Sequence, residues 1–198
     1  MSISLKEHIY STLIVSTSDS FKTSLMKYLP EATYSPIFFA RNIFEAQRET
    51  VERFYDLIII NAPLSDDYGT KFAIDMSDKK PSVVLLFVNG DDYNDIYNQV
   101  SDFGVFTIKK PLHTQNIMQA LDFVKATRER LRKMEKKIVS LEEKMMDIKI
   151  VNRAKCLLIN SLKMSEDEAH RYIEKQAMDK CVSKRIIAED ILKMYLNI

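Results

Sequence analysis

An uninterrupted helical pattern from about Thr114 to about Asn160 constrains the fold of this chain more than any other feature. Within it, mostly apolar residues recur at the first and fourth positions of consecutive seven-residue repeats. This spacing is typical of the seam of a coiled coil, where two helices meet. The seam residues predicted to make the contact are Val124, Leu131, Met134, Ile138, Leu141, Met145 and Ile148.

The charges that flank this seam favour two parallel chains. Arg130 and Glu135 take positions that face each other across a parallel coil, and Lys137 and Glu142 repeat the arrangement seven residues later. We therefore expect a homodimer. The alternative is a solvated surface helix whose apolar stripe packs against its own domain.

Ahead of this helix, short β-branched runs alternate with amphipathic segments, which is typical of a parallel sheet with crossover helices. The middle runs are apolar throughout, as expected of strands covered on both faces. The predicted strands are Thr12–Val15, Pro36–Ala40, Leu57–Asn61, Val83–Val88 and Val105–Ile108. We predict a five-stranded, doubly wound α/β domain at residues 1–112, a linker helix and coiled coil at 113–148, and an all-α domain at 149–198.

The first of these domains resembles the receiver domain of bacterial response regulators, which has a flavodoxin-like fold. The run from Asp56 to Pro63, followed by Gly69, matches the third strand of that family and its loop. Lys110 and Pro111 match the Lys-Pro pair that follows the fifth strand. In a working receiver, an aspartate at the end of the third strand accepts a phosphoryl group, two acidic residues after the first strand hold Mg²⁺, and a Ser or Thr ends the fourth strand.

This chain departs from the receiver pattern at each of those positions. Asn61 takes the place of the phosphoryl-accepting aspartate, and an amide cannot form the acyl phosphate. Ser16 and Thr17 take the places of the two acidic residues, so Mg²⁺ loses its charged oxygen ligands. Lys110 remains, either as a cation for an anion or small ligand, or, as we favour, hydrogen-bonded to Asn61 or a loop carbonyl. The sequence therefore predicts a pseudo-receiver whose degenerate phosphorylation site comprises Asn61, Ser16, Thr17, Phe87 (Val88 in an alternative alignment) and Lys110.

The last fifty residues predict three helices, the first being the end of the long one. Ser165 with Glu168 forms a capping box that begins the second helix, and Ser183 is a capping residue for the third. Apolar residues recur at helical spacing in all three segments. A small helical domain is therefore expected here.

This segment resembles the ANTAR domain, an RNA-binding module of bacterial transcription antiterminators. The match is carried by Arg153-Ala154-Lys155, Leu157-Leu158-Ile159, the run from Met164 to Ala169, Gln176-Ala177-Met178 and Ile187-Ala188-Glu189. The resemblance implies RNA contacts, for which we select Arg153, Lys155, His170, Arg171, Lys175, Gln176, Lys184 and Arg185. For each of these cations, a solvated helix face is an equal alternative.

Composition narrows the remaining classes of function. The formal net charge is +1, so a site for a polyanion requires a local arrangement of cations. Cys156 and Cys181 lack the spacing of a metal site, and we expect them to be buried or half-buried in a reducing compartment. The sequence shows no pattern typical of a catalytic, cofactor or metal site, and no apolar run long enough to span a bilayer. The expected location is the cytoplasm.

The two resemblances together imply a dimeric regulator of transcription antitermination. It would stabilise tandem stem-loops in nascent leader RNA, without control by aspartyl phosphorylation. We expect either constitutive dimers or control by a small ligand, a sensor or a partner protein bound to the pseudo-receiver. The alternatives are a protein-interaction adaptor of a two-component-like pathway and a DNA-binding response regulator.

Overall fold

The computed structural model describes residues 8–196, so residues 1–7 and 197–198 of the predicted terminal domains lie outside it. The chain divides into two compact units, one ending at Arg132 and the other beginning at Lys133. A single helix, Thr114–Leu162, contributes residues to both units. Within residues 8–196, no helix combines the length and hydropathy that a membrane span requires.

The first unit is a five-stranded parallel sheet with helices between the strands. Its strands are β1 Thr12–Val15, β2 Ile37–Ala40, β3 Leu57–Asn61, β4 Val83–Val88 and β5 Phe106–Lys109, and they lie in the order β2-β1-β3-β4-β5, so the order reverses between β1 and β3. The predicted α/β class is confirmed, and only the edge strands β2 and β5 differ from the predicted bounds. The elements are β1 Thr12–Val15, α1 Asp19–Met26, β2 Ile37–Ala40, α2 Ile43–Glu52, β3 Leu57–Asn61, α3 Thr70–Asp78, β4 Val83–Val88, α4 Tyr93–Val100, a 3-10 turn Ser101–Phe103, β5 Phe106–Lys109 and α5 Thr114–Leu162.

The sheet separates two apolar cores because successive side chains of each strand point to opposite faces. One core lies against α2, α3 and α4, and the other lies against α1 and the beginning of α5. Ile117, Leu121 and Val124 of α5 are buried in the second core, and Leu131 packs partly against it. The early part of the α5 stripe therefore covers its own domain.

This packing corrects one predicted seam residue. Val124 is completely buried inside the first unit, so it is not available to a second chain, and its place on a dimer seam was wrong. Leu131 is half-buried against the same core. Among the predicted seam positions of α5, those that remain exposed begin at Met134.

A buried ion cluster fastens α5 to the sheet at the amino end of β3. The carboxylate of Asp56 accepts hydrogen bonds from Arg128 Nε at 2.6 Å and Arg132 Nη2 at 2.9 Å. Its other oxygen accepts from the backbone N–H of Ser11 at 3.0 Å and from the Ser11 hydroxyl at 3.1 Å. Burial would raise the pKa of Asp56, but these hydrogen bonds and the two guanidinium charges hold it below the ordinary 3.8.

The second unit packs α6, Glu166–Asp179, and α7, Lys184–Leu196, on the end of α5. Its core uses several alanines, which let the helices approach closely: Ala154, Leu158, Ala169, Ile173, Ala177, Ile187, Ala188 and Ile191. The predicted capping box is present, because Ser165 and Glu168 each accept a hydrogen bond from the other's backbone N–H. Cys156 and Cys181 are both exposed, which corrects the expectation that they fill the core.

Candidate nucleic-acid interface

The carboxyl end of β3 holds a closed network of neutral and cationic groups. The Asn61 amide donates to the Ser16 hydroxyl at 3.0 Å, and its oxygen accepts from Lys110 Nζ at 3.0 Å. Lys110 also donates to the carbonyl of Ala62. Burial lowers the pKa of Lys110, although the charge of Asp92 opposes this. The lysine thus takes the hydrogen-bonding alternative that we favoured.

The other two positions of the degenerate site contribute no acidic group. Thr17 is exposed, and Phe87 is fully buried with its ring edge against Phe21, the ring centroids being 5.3 Å apart. Phe87 lies beside Asn61 in the register of β3 and β4. Within residues 8–196, no three His, Cys, Asp or Glu residues lie where they would hold a metal ion. The side chains at these positions therefore include no carboxylate.

In the second unit, four of the eight predicted RNA-binding residues contact carboxylates of their own chain. Lys155 Nζ lies 3.1 Å from Glu166, and His170 Nε2 lies 3.2 Å from Glu174. The Lys184 ammonium binds the same Glu174 carboxylate, and this hydrogen bond lowers the pKa of Glu174.

Arg185 is engaged in the same way. Its guanidinium contacts Glu189 at 2.8 Å and Asp147 at 2.9 Å, and these hydrogen bonds raise its pKa. Lys155, His170, Lys184 and Arg185 line one groove of about 370 Å³ together with Asp147, Ile148, Val151, Asn152 and Ser183. Because its cations are neutralised by acids nearby, this groove has little surplus positive charge for a polyanion.

A second groove in the same unit carries free cations. Arg171 and Lys175 line it with Lys163 and Tyr172, and we call these four residues the basic patch. The groove has a volume of about 500 Å³. Among the described residues, none of its three cations makes a side-chain ion pair or hydrogen bond. The ring of Tyr172 is 40% exposed.

One carboxylate lies in the groove of the basic patch, but it is already satisfied. Glu168 accepts hydrogen bonds from the Ser165 backbone N–H at 2.8 Å and from the Ser165 hydroxyl at 2.9 Å. These bonds lower the pKa of Glu168. The groove therefore holds three cations and one carboxylate, which is a local surplus of positive charge, beside an exposed aromatic residue.

Two residues of the basic patch are not among those selected from the sequence. Lys163 has φ +56°, in the left-handed region where a helix commonly ends, and its position follows from the backbone at the end of α5. Tyr172 lies one residue from Arg171, and its exposure depends on which face of α6 packs on the core. The selected Arg153 lies apart, with Cys156 and Asn160 in another groove, and Gln176 is half-buried.

The second unit also leaves an apolar stripe of α5 open. Its exposed fractions range from 49% to 59%, for Met134, Ile138, Leu141, Met145 and Ile148. We call these five residues the open seam. A contiguous exposed apolar stripe on a helix is typical of an interaction surface.

Known proteins resemble this chain in its C-terminal helices and in its α/β unit. Residues 140–192 match the ANTAR domain. The transcriptional regulatory protein PdtaR of Mycobacterium tuberculosis, in strains CDC 1551 and H37Rv, is 26% identical over 141 residues, which are 70% of this chain and 67% of PdtaR.

Solved structures match the first part of the chain. The receiver domain of beryllofluoride-activated NtrC4 is 24% identical and covers 61% of this chain and 98% of its own, with a TM-score of 0.51. The signal receiver domain of an HD domain-containing protein from Pseudomonas fluorescens Pf-5 is 20% identical and covers 67% and 97%, with a TM-score of 0.57. At these identities the likeness shows the fold, which is that of a receiver. The chain thus joins a receiver-like α/β fold to a C-terminal segment, residues 140–192, that matches the ANTAR domain, and over 141 residues it is similar to the transcriptional regulatory protein PdtaR.

Proposed function

We propose that this protein is a dimeric RNA-binding regulator of transcription antitermination that stabilises antiterminator stem-loops in nascent leader RNA. In this proposal the receiver-like unit acts without aspartyl phosphorylation. The observation that carries it is the basic patch, which lies inside the segment that matches the ANTAR domain.

The chemistry of the basic patch suits the loop of an RNA hairpin. Phosphate contacts supply much of the affinity of proteins for nucleic acids, and Lys163, Arg171 and Lys175 have no competing carboxylate partner within the described residues. Unstacked loop bases bind by stacking on aromatic rings, and Tyr172 offers such a ring among the cations. A duplex would bury its bases and leave this ring without a partner.

The open seam supports the dimeric part of the proposal. A second copy would bury the five exposed side chains that a monomer leaves in water. Two ANTAR domains joined in one dimer would raise the effective concentration for the second of two tandem stem-loops. Sedimentation of the full chain at micromolar concentration tests this step, and a single-chain mass with and without RNA would refute it.

A gel shift with tandem stem-loop RNA tests the interface. We expect Arg171→Glu to weaken binding at least tenfold at fixed salt, because the change removes one phosphate contact and adds a repelling charge. Lys193→Glu is the matched control, since it makes the same change of charge at an exposed position outside the patch. Equal losses in the two variants would refute the basic patch as the binding surface.

The same assay separates the alternatives. No binding of tandem stem-loops by the intact protein would favour the protein-interaction adaptor. Tighter binding to duplex DNA of the same sequence would favour the DNA-binding regulator. Both outcomes would overturn the proposed function.

Independence from phosphorylation has its own test. After incubation with Mg²⁺ and a small-molecule phosphoryl donor, we expect no phosphoryl adduct by intact mass spectrometry and no change in RNA affinity. The reason is that Asn61 is an amide, and Ser16 and Thr17 supply no carboxylate for the metal. An adduct accompanied by a change in RNA affinity would contradict this part of the proposal.

A further inference from the structure

The seven-residue spacing of the open seam can be followed along α5 beyond Ile148. Continuing its seven-residue spacing from Ile138 and Met145 places Asn152 at the next first position, on the same side of α5. Asn152 is exposed, and its side-chain amide makes no hydrogen bond with any of the described residues. An apolar stripe is thus interrupted by one amide whose donors and acceptor are all free.

The neighbouring seam positions are occupied by their own chain. Lys155, at the fourth position of the same repeat, has a side chain only 15% exposed, and its ammonium is held by Glu166 at 3.1 Å. Ile159, at the next first position, packs against the core of the second unit. Asn152 is therefore the free polar group on the seam line of this repeat.

We propose that Asn152 selects the parallel, in-register dimer by pairing with Asn152 of a second copy. An amide is self-complementary, because the oxygen of one side chain accepts from the NH₂ group of the other, and a two-fold axis brings identical residues together. A single asparagine at a first position of a coiled coil fixes register and oligomeric state at some cost in stability. This inference rests on the proposed dimer.

Other registers leave the amide without a partner. Sliding one chain by a full repeat keeps the apolar seam matched but places Asn152 against Met145 of the other chain. A buried amide that cannot form its hydrogen bond is costly enough to disfavour this register about tenfold or more. The remaining first and fourth positions of the open seam are all apolar, so they discriminate between these two registers only weakly.

Disulfide trapping in the full chain tests the proposal. In a background of Cys156→Ser and Cys181→Ser, one preparation carries Met145→Cys and a second carries Ile138→Cys. The two are mixed, equilibrated and oxidised. In-register dimers give crosslinks between identical positions, whereas a slip of one repeat gives the mixed crosslink between 138 and 145.

We expect in-register crosslinks to exceed mixed ones about tenfold with Asn152 present. Asn152→Val should reduce this excess to about twofold or less, because valine suits a first position of a two-stranded coil in any register. The control is Asn160→Val on the same helix, at an exposed position off the seam line, which should leave the excess unchanged. Thermal unfolding by circular dichroism verifies that each variant is folded.

Three results would overturn the inference. If the excess of in-register crosslinks changes less than threefold on Asn152→Val, Asn152 does not select the register. The same conclusion follows if Asn160→Val changes the excess equally. Either result leaves the dimer intact. A chain that sediments only as single copies would refute the dimer itself, and the inference with it. That last result is distinct from a failed RNA gel shift, which refutes the RNA-binding function and leaves the register measurement unaffected.

Discussion

The ion cluster at the base of the sheet leads to a stability prediction for Arg128→Met. Arg128 Nε and Asp56 Oδ1 are 2.6 Å apart, and their side chains are 5% and 9% exposed. Methionine keeps much of the apolar stem of Arg128 but removes the guanidinium, whose central carbon lies 5.2 Å from the centroid of the Phe54 ring. The change therefore isolates the electrostatic part of the contact.

The magnitude follows from what remains around Asp56. Removing one partner of a buried ion pair costs about 3–5 kcal/mol, and a hydrogen bond to a charged group contributes about 1.5–3 kcal/mol. Arg132 at 2.9 Å and the two Ser11 donors still compensate the carboxylate, which places the cost at the low end. We expect the free energy of unfolding of the first unit to fall by about 3 kcal/mol.

Urea unfolding followed by far-UV circular dichroism measures this loss, with the transitions of the two units fitted separately. The matched control is Lys125→Met, which breaks the Lys125–Asp122 pair on the same helix at side chains 41% and 70% exposed. An exposed pair of this kind contributes at most about 0.5 kcal/mol. If the two variants lose the same stability, the buried cluster does not stabilise α5 on the sheet.

Three further predictions concern single groups. Because its partners hold the folded-state pKa of Asp56 below 3.8, the stabilisation that the Asp56 carboxylate gives the first unit should be present above about pH 4 and be lost as the pH falls further. Urea unfolding midpoints across pH 3–6 measure this loss. Arg128→Met should make the midpoint depend less on pH. Lys163→Gly should stabilise the second unit by about 1 kcal/mol, since φ +56° suits glycine, yet weaken RNA binding in the gel shift. Ser165→Ala should cost the second unit about 1 kcal/mol by thermal unfolding, with Ser161→Ala, which lies in the last turn of α5 and caps no helix start, as control.

The α/β fold was accessible from the sequence because buried parallel strands leave continuous apolar runs. β1, β3 and β4 are covered on both faces, and their predicted bounds agree with the structure. The edge strands β2 and β5 are only partly buried, so their ends are less sharply marked in the pattern. β2 begins one residue later than predicted, and β5 is shifted by one residue at both ends. The capping signals at Asn42 and Ser165 were equally readable, because the cap depends on residues three apart in the chain.

The limits of the sequence are clearest in α5. A seven-residue repeat and a one-sided helical stripe nearly coincide over a few turns, so the pattern alone does not distinguish a partner chain from the helix's own domain. The structure assigns Val124 to the domain core and leaves the predicted seam residues from Met134 to Ile148 exposed. The predicted long helix is therefore confirmed, the place of Val124 on the seam is wrong, and the dimer stays a prediction.

The candidate interface shows a second limit. Lys155 and Lys184 are as basic in the sequence as Lys175, yet Glu166 and Glu174 neutralise the first two. Those pairings join residues eleven and ten positions apart on different helices, so they depend on how the three helices pack. Only the packed unit separates the engaged cations from the free ones.

The basic patch also ties the proposed regulator to the ionic strength of its surroundings. Each phosphate neutralised on a single strand releases condensed counterions, so the logarithm of the affinity falls with the logarithm of the salt concentration by about 0.7 for each contact. With one phosphate contact for each of Lys163, Arg171 and Lys175, the slope is about −2 for each patch. A doubling of monovalent salt would then lower the affinity of one patch about fourfold, so a rise in the surrounding potassium concentration would weaken the proposed RNA binding without any change in the receiver-like unit.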